Sequence, residues 1–259
     1  MENIIKSKDN PVIKLYQRLS ASKKERLQYG LFVLEGARIV EDAVREKADI
    51  RYLIFTEAAS ARADQFQVDL RTTKLIVISN ELGKRIASTE NTQGIFAVCA
   101  VPSAASPCFK KNGRYVVLYG LQDPGNVGMI IRTADAFGVD GVILSGSCDV
   151  YSPKVIRSTM GSIFRENIII ENDGEKLFSM LSENGIATSA AVIDDDAVNI
   201  RSCSFEGAQA VFIGNEGNGL PPEVARRCGR RVIIPMKGTI NSLNAAMAAG
   251  IMMWELCGR

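Results

Sequence analysis

Three polar, glycine-containing stretches carry the residues of this chain that are equipped for chemistry: Asp123–Ala134 (DPGNVGMIIRTA), Ile213–Leu220 (IGNEGNGL) and Ile234–Trp254 (IPMKGTINSLNAAMAAGIMMW). In the first, a strand feeds a turn of Pro124, Gly125 and Asn126, and a helix opens. Free N–H groups at a helix start make an anion site, and Arg132 follows about two turns in, a spacing that would set it and Asn126 on one side of the strand ends. The same residues also read as a tight strand-to-helix turn with a surface arginine. In the second, Gly214 lets a ligand approach the main chain, and Glu216 and Asn218 sit beyond a strand's C-terminal end, where open α/β sheets hold ligands. A plain Gly/Asn turn has the same composition. In the third, Asn241-Ser242-Leu243-Asn244 opens a helix of Ala, Met and Gly. Ser242 and Asn244 either cap that helix or contact a ligand, with Leu243 against an apolar ring.

The chain has no histidine. Ser-His-Asp catalysis and histidine-ligated metals are therefore excluded, and proton transfer falls to Arg, Lys, carboxylates, Tyr, Cys or water. The six cysteines (Cys99, Cys108, Cys148, Cys203, Cys228, Cys257) show no CxxC pairing or other metal-ligand spacing. They read as reduced thiols of a cytoplasmic protein, packed as small hydrophobes, with no metal. The loop after Tyr119 is not GxGxxG, which argues against a dinucleotide-dependent oxidoreductase.

These stretches need an alternating α/β frame. The 259 residues are 46% hydrophobic and 23% charged, ordinary for a soluble globular chain of one large or two modest domains. No apolar run suffices to cross a bilayer, and the N-terminus lacks the apolar core of a secretory signal. Net charge is +2, but residues 1–30 hold seven Lys/Arg against three Asp/Glu, leaving +4 there and −2 for the rest. That basic arm reads either as a phosphate-contacting segment or as a solvated amphipathic helix. From Asn10-Pro11 a helical spacing runs through Val12, Leu15, Tyr16 and Leu19. Strand-like runs follow at LFVLEG, Ile50–Thr56, Leu75–Ser79 and Gly94–Val101, with helices over Ala37–Lys47 and Asn80–Ala87. Residues 102–114, rich in Pro, Ser and Lys, read as a linker between domains at 1–101 and 115–259. Beyond it, VVLY, VILS, AVFI and VII read as parallel strands buried on both faces, and Ser242–Leu256 as the closing helix.

The order of the three stretches, NxGxxxRxA, GNEGxGL and IPMxGxxxSLNxxxAxxI, resembles the three motifs of the SpoU/TrmH family of RNA 2′-O-ribose methyltransferases across residues 115–256. FVLEG at 32–36 and TQGIFAV at 92–98 resemble that family's L30e-like substrate-binding module. The resemblance implies an α/β fold with a deep trefoil knot in the C-terminal parallel-sheet domain and S-adenosylmethionine as cofactor, held at Gly214, Ile234 and Leu243. It implies a homodimer whose catalytic site is completed near the subunit interface. It also makes Arg132 the residue that activates the 2′-OH, with Asn126, Glu216, Ser242 and Asn244 shaping the ribose/phosphate site, and Glu216 as the ion-pair partner of Arg132. Arginine's ordinary pKa lies above about 12. Either a cationic, buried site lowers it, or Arg132 polarises the hydroxyl while an RNA phosphate accepts the proton. In SPKVIRSTMGSIFR, Arg157 is nearest the family's pattern and is expected to bind RNA. Lys154, three residues earlier, and Arg165 read either as RNA-facing or as solvated. The expected substrate is structured RNA, 23S rRNA ahead of tRNA. The other readings are a tRNA methyltransferase and a non-catalytic RNA-binding protein with the same fold.

Overall fold

The computed structural model describes residues 4–102, 107–194, 196–239 and 242–258. Asn241 and residues 103–106 of the expected linker lie outside the described residues. In chain order the elements begin with α1 (Pro11–Ala21), α2 (Lys23–Tyr29), β1 (Leu31–Glu35), α3 (Ala37–Arg45), β2 (Ile50–Thr56), β3 (Lys74–Ile78), α4 (Asn80–Ile86) and β4 (Ile95–Ala100). Then come β5 (Arg114–Tyr119), α5 (Pro124–Phe137), β6 (Gly141–Ser145), α6 (Pro153–Thr159), β7 (Ile168–Ile170), α7 (Gly174–Glu183) and β8 (Ala187–Ala191). The last are β9 (Val198–Asn199), β10 (Gln209–Ile213), α8 (Pro222–Arg227), β11 (Arg230–Ile233) and α9 (Ala245–Leu256). Two compact units form: Met1–Ser103 with Asp149–Phe164, and Ala104–Cys148 with Arg165–Arg259. Residues 149–164, including α6, thus pack as part of the first unit.

In the first unit the sheet order is β1-β4-β2-β3, with β4 antiparallel to β1 and β2, and β3 parallel to β2. Asn10 caps α1 by accepting the Val12 N–H at 2.9 Å, and Pro11 suits a first-turn position that has no N–H partner. The helical run read from Pro11 onward is two helices. Ser22 is extended, and its hydroxyl accepts the Glu25 N–H at 3.3 Å, so one residue ends α1 and starts α2. Ile13, Tyr16 and Leu19, the apolar stripe of α1, pack with Val33, Ile54, Ile78, Phe96 and Val98. The basic arm is partly structural. Arg26 is buried, donates to Asp149 at 2.7 Å and also binds the Leu19 carbonyl. Removing one partner of such a buried pair costs about 3–5 kcal/mol.

The second unit is a seven-stranded, all-parallel sheet of order β7-β6-β5-β10-β8-β11-β9. Every position of β6 and β10 is buried, as their unbroken apolar runs require. β5, β6 and β7 step outward in one direction, and the chain returns to place β8 and β10 on the other side of β5. The loops after β5 and β10 therefore meet at a switch point, where such sheets hold ligands. Two helices absent from the sequence reading, α7 and α8, pack Leu177, Phe178, Leu181, Val224 and Ala225 into the core. α9 starts three residues later than expected. The Asn244 side chain takes the N–H groups of Ala246 (2.9 Å) and Met247 (3.2 Å), which makes it the cap and leaves Ser242 and Leu243 in the loop.

Glu166 lies just before β7 in this unit, with one buried carboxyl oxygen that has no hydrogen-bond partner among the described residues. Burial first, then the Asp135 carboxylate, push this group up to about 7; Arg165 opposes the rise and Asp140 adds to it. The folded chain thus holds this proton over a pH range in which the unfolded chain has released it. Stability from this group is full below the ordinary carboxylate range and falls as pH rises to about 7. Glu166→Gln is expected to remove that slope and to stabilise the chain at pH 8 by about 1–2 kcal/mol, after discounting for the exposed part of the side chain. Urea unfolding at pH 5.5 and pH 8 checks this; parallel losses in variant and parent would refute it.

Candidate active site

The switch point is built around Glu216. Gly120 ends β5 in the left-handed region, at φ 74. Gln122 then ties the loops after β5 and β6 together, donating from Nε2 to the carbonyls of Gly120 (3.0 Å) and Gly146 (2.9 Å). Asp123 caps α5 by accepting the Asn126 N–H at 2.9 Å. From the other side, β10 delivers the loop 214–219, which folds back on itself: Asn215 N–H meets the Gly219 carbonyl at 3.0 Å, and Gly219 N–H the Asn215 carbonyl at 2.9 Å. Asn215 organises the turn. Its Oδ1 accepts the N–H groups of Gly217 (2.9 Å) and Asn218 (3.2 Å), and its Nδ2 donates to the Gly120 carbonyl at 2.9 Å. Nothing in the sequence patterning singled out Asn215 or Gln122, because their partners lie on other loops.

The Glu216 carboxylate accepts from Gln122 N at 3.1 Å, Asp123 N at 3.0 Å and Asn126 Nδ2 at 3.1 Å. It occupies the N-terminal entrance of α5, where main-chain N–H groups and the helix dipole favour an anion. Burial pushes this carboxyl up, but the hydrogen bonds from Asn126 and the main chain outweigh it, so it lies below the ordinary carboxylate range. The cluster therefore stays ionised at neutral pH and is lost only in acid. Asn126 Oδ1 in turn accepts from Asn244 Nδ2 at 3.0 Å, and Asn244 caps α9. Glu216, Asn126 and Asn244 thus form one hydrogen-bonded chain linking the loop after β10 to the starts of α5 and α9.

Beside this chain is a cavity of ≈ 1070 Å³. Gly214, Glu216, Ile234, Ser242 and Leu243 line it, with Leu220 and Met236 adding apolar wall and Asp196 and Arg226 adding charge. A cofactor with an apolar ring and polar arms fits such a lining. Gly214 is required for a reason beyond ligand approach. A Cβ there would lie 2.2 Å from both the Gly219 carbonyl carbon and the Leu220 nitrogen, so only glycine lets the loop's return limb pack against the strand end.

One expected contact is corrected. Glu216 is engaged by main-chain N–H groups and Asn126, and Arg132 makes no hydrogen bond or ion pair through its side chain among the described residues. Six residues along a helix turn through 600°, which leaves Arg132 about 120° around α5 from Asn126. It is exposed and is not among the residues lining the cavity. Arg157 lies on α6 in the first unit, half-buried, donating to Ser88 Oγ at 2.6 Å. Arg165 pairs with Asp135 at 2.6 Å, which favours a structural reading for it.

The profile of the SpoU rRNA Methylase family matches residues 113–254, and that of the MRM3-like substrate binding domain matches residues 10–97. A curated relative, the 23S rRNA (guanosine(2553)-2′-O)-methyltransferase RlmP of Bacillus subtilis, is 29% identical over 98% of this chain and 99% of its own. The AdoMet-bound rRNA methyltransferase of Sinorhizobium meliloti superposes with a TM-score of 0.88 at 30% identity, covering 98% of this chain and 97% of its own. The methyltransferase AviRb of Streptomyces viridochromogenes, solved with AdoMet, gives 0.86 at 26% identity, covering 96% and 97%. With the family profile spanning more than half its length, including the Glu216–Asn126–Asn244 chain and the cavity, this protein belongs to the SpoU rRNA methylase family and is an RNA methyltransferase.

Proposed function

We propose that the chain transfers the methyl group of S-adenosylmethionine to a ribose 2′-OH of 23S rRNA, acting as a homodimer. The observation that carries this reading is the cavity walled by Gly214, Ile234 and Leu243 next to the Glu216–Asn126–Asn244 chain. Bound there, the cofactor would supply a methyl group already activated on a sulfonium, so the protein must align the acceptor and dispose of one proton. Main-chain atoms of Gly214 and the apolar side chains of Ile234 and Leu243 hold and orient. Ser242, exposed at the cavity edge, offers a hydroxyl to the incoming ribose or phosphate, and Glu216 keeps the Asn126 amide fixed. Arg132 orients and polarises the 2′-OH through its guanidinium N–H groups, and an RNA phosphate accepts the proton.

The dimer accounts for Arg132 lying outside its own chain's cavity. Met129, Arg132 and Ala136 recur at helical spacing along the exposed face of α5, and Met247, Ile251 and Trp254 along α9. Met129 is 55% exposed, Met247 59% and Trp254 52%, and the Trp254 ring meets Phe137 of α5 at 5.5 Å. Such a joined apolar face is what a subunit interface covers. In that dimer the partner's Arg132 reaches the cavity. The N-terminal domain, L30e-like by resemblance, presents the rRNA, and the relatives matched along their full length favour rRNA over tRNA.

The purified chain, given S-adenosylmethionine labelled in its methyl group, is expected to label 23S rRNA from cells lacking it, at one ribose 2′-oxygen. The cofactor alone is expected to raise the melting temperature. Label confined to tRNA would move the substrate. Absence of both label and thermal shift would overturn the reading.

A further inference from the structure

One side of the cavity is acidic, and the methyl transfer itself gives that acidity no role. β8 ends at Ala191, and the chain turns through Val192, Ile193 and Asp194 to Asp196, all four of which line the cavity. Asp194 is the fixed point of this turn. Its Oδ2 pairs with Arg231 on β11, its Oδ1 accepts the Asp196 N–H at 3.0 Å, and its carbonyl accepts the Ala197 N–H at 3.0 Å. Asp194 and Arg231 are both half-buried, whereas Asp196 is exposed. The Asp196 carboxylate has no hydrogen bond or ion pair among the described residues. Arg226, the cation on α8 that also lines the cavity, forms no ion pair among them either.

The sheet order says which part of a ligand lies on this side. Glu216, Asn126 and Asn244 mark the acceptor's place, where the loops after β5 and β10 meet. β8 lies on the other flank of β10, about 4.8 Å further along the sheet, with β11 beyond it. On that flank the wall is apolar: Val192, Ile193, Leu220, Val232 and Ile234. Such a wall takes a flat ring rather than a zwitterion. S-adenosylmethionine carries its methyl on a sulfonium, with an amino-acid head on one arm and adenosine on the other. With the methyl directed at the acceptor, the apolar flank suits the adenine, whose ribose presents two adjacent hydroxyls. A carboxylate has two oxygens and no proton, so it can accept from both hydroxyls at once. Sheets that bind adenine dinucleotides make a similar division, with a glycine loop on the phosphates and a carboxylate on the ribose 2′-OH.

We propose that Asp196 binds the ribose hydroxyls in the adenosine half of S-adenosylmethionine, and that Asp194, locked to Arg231, is a positioning residue that holds the turn presenting it. The proposal rests on the placing of the cofactor in this cavity.

The test is calorimetric titration of the full chain with three ligands: S-adenosylmethionine, 5′-methylthioadenosine and the 2′,3′-dideoxy form of the latter. Methylthioadenosine keeps the adenosine but lacks the positive sulfur and the amino-acid head, and the dideoxy form lacks the diol as well. Asp196→Ala is expected to weaken binding of the first two about tenfold each and to leave the third unchanged. Asp194→Asn weakens the first two less, also spares the third, and adds nothing to Asp196→Ala in the double variant. A merely structural loss at Asp194 would weaken all three. Glu223→Gln, which removes an exposed carboxylate outside the cavity lining, changes none. A loss confined to S-adenosylmethionine would overturn the assignment, because Asp196 would then be answering the sulfonium or the amino-acid head. Equal losses for all three ligands in Asp196→Ala, or no loss for any, would overturn it too. Gly214→Ala separates the placing from the assignment. If it weakens binding of S-adenosylmethionine and Asp196→Ala does not, the cofactor occupies the cavity and Asp196 is not its ribose ligand. If neither variant weakens binding, the cofactor lies elsewhere and both readings fall.

Discussion

Arg132→Ala is expected to abolish methyl transfer, by about 10²–10⁴-fold in kcat, while leaving the fold and cofactor binding intact. The side chain is exposed and makes no hydrogen bond or ion pair among the described residues, so its removal costs within about 0.5 kcal/mol of stability. It is not among the residues lining the cavity, so the thermal shift produced by S-adenosylmethionine should survive. Arg132→Lys keeps the charge but loses the planar fork, and is expected to recover only part of the rate. A complementation experiment separates the two places Arg132 can act. Arg132→Ala subunits retain a sound cavity, and Gly214→Ala subunits retain a sound arginine. If each arginine serves the partner's cavity, co-expressed heterodimers contain one complete site and exceed the activity of both parents. If it serves its own cavity, no complete site exists and the mixture stays at the level of the parents. Full activity of the Arg132→Ala homodimer would remove Arg132 from the mechanism.

Much of this arrangement was legible from sequence because parallel strands buried on both faces must be apolar throughout. VVLY, VILS and AVFI became β5, β6 and β10, and the polar loops following β5 and β10 fall at the switch point. The join between those loops was not legible. Glu216 meets Asn126, 90 residues away, and Asn126 meets Asn244, 118 residues away, through single amide groups that leave no periodic signal. The family resemblance pointed to Arg132 as the partner of Glu216. The main-chain N–H groups of 122 and 123 prevailed, because a helix N-terminus already presents donors in fixed geometry. The composition of NSLN left cap and ligand contact open, and the structure divides the roles: Asn244 caps α9, while Ser242 and Leu243 face the cavity. α8 escaped because its six residues are too few to show a period, whereas α7 carries Leu177, Phe178 and Leu181 at helical spacing, so its signal was present in the sequence.

Gly214→Ala is expected to weaken S-adenosylmethionine binding about 10- to 100-fold and to lower kcat as well. The added Cβ would sit 2.2 Å from main-chain atoms of Gly219 and Leu220, and main chain cannot rotate away as a side-chain tip can. The return limb is held by the paired hydrogen bonds between Asn215 and Gly219, and by Leu220, which is buried in the core with Val224. Relief therefore comes from moving the whole loop. That shift displaces a wall of the cavity and also draws Glu216 from the N–H groups of Gln122 and Asp123, which frees the Asn126 amide. A change in cofactor affinity and in turnover from one added methyl group is the signature of this coupling. Gly217→Ala is the comparison: Gly217 also lines the cavity, but its Cβ meets only Asn215 Oδ1, at 3.5 Å, and its backbone lies outside the left-handed region, so it should weaken cofactor binding less than Gly214→Ala does. Calorimetric titration of the cofactor into both variants decides the matter. Equal affinities would mean that the loop yields without moving the cavity wall, and that the glycine serves some purpose other than closing this turn.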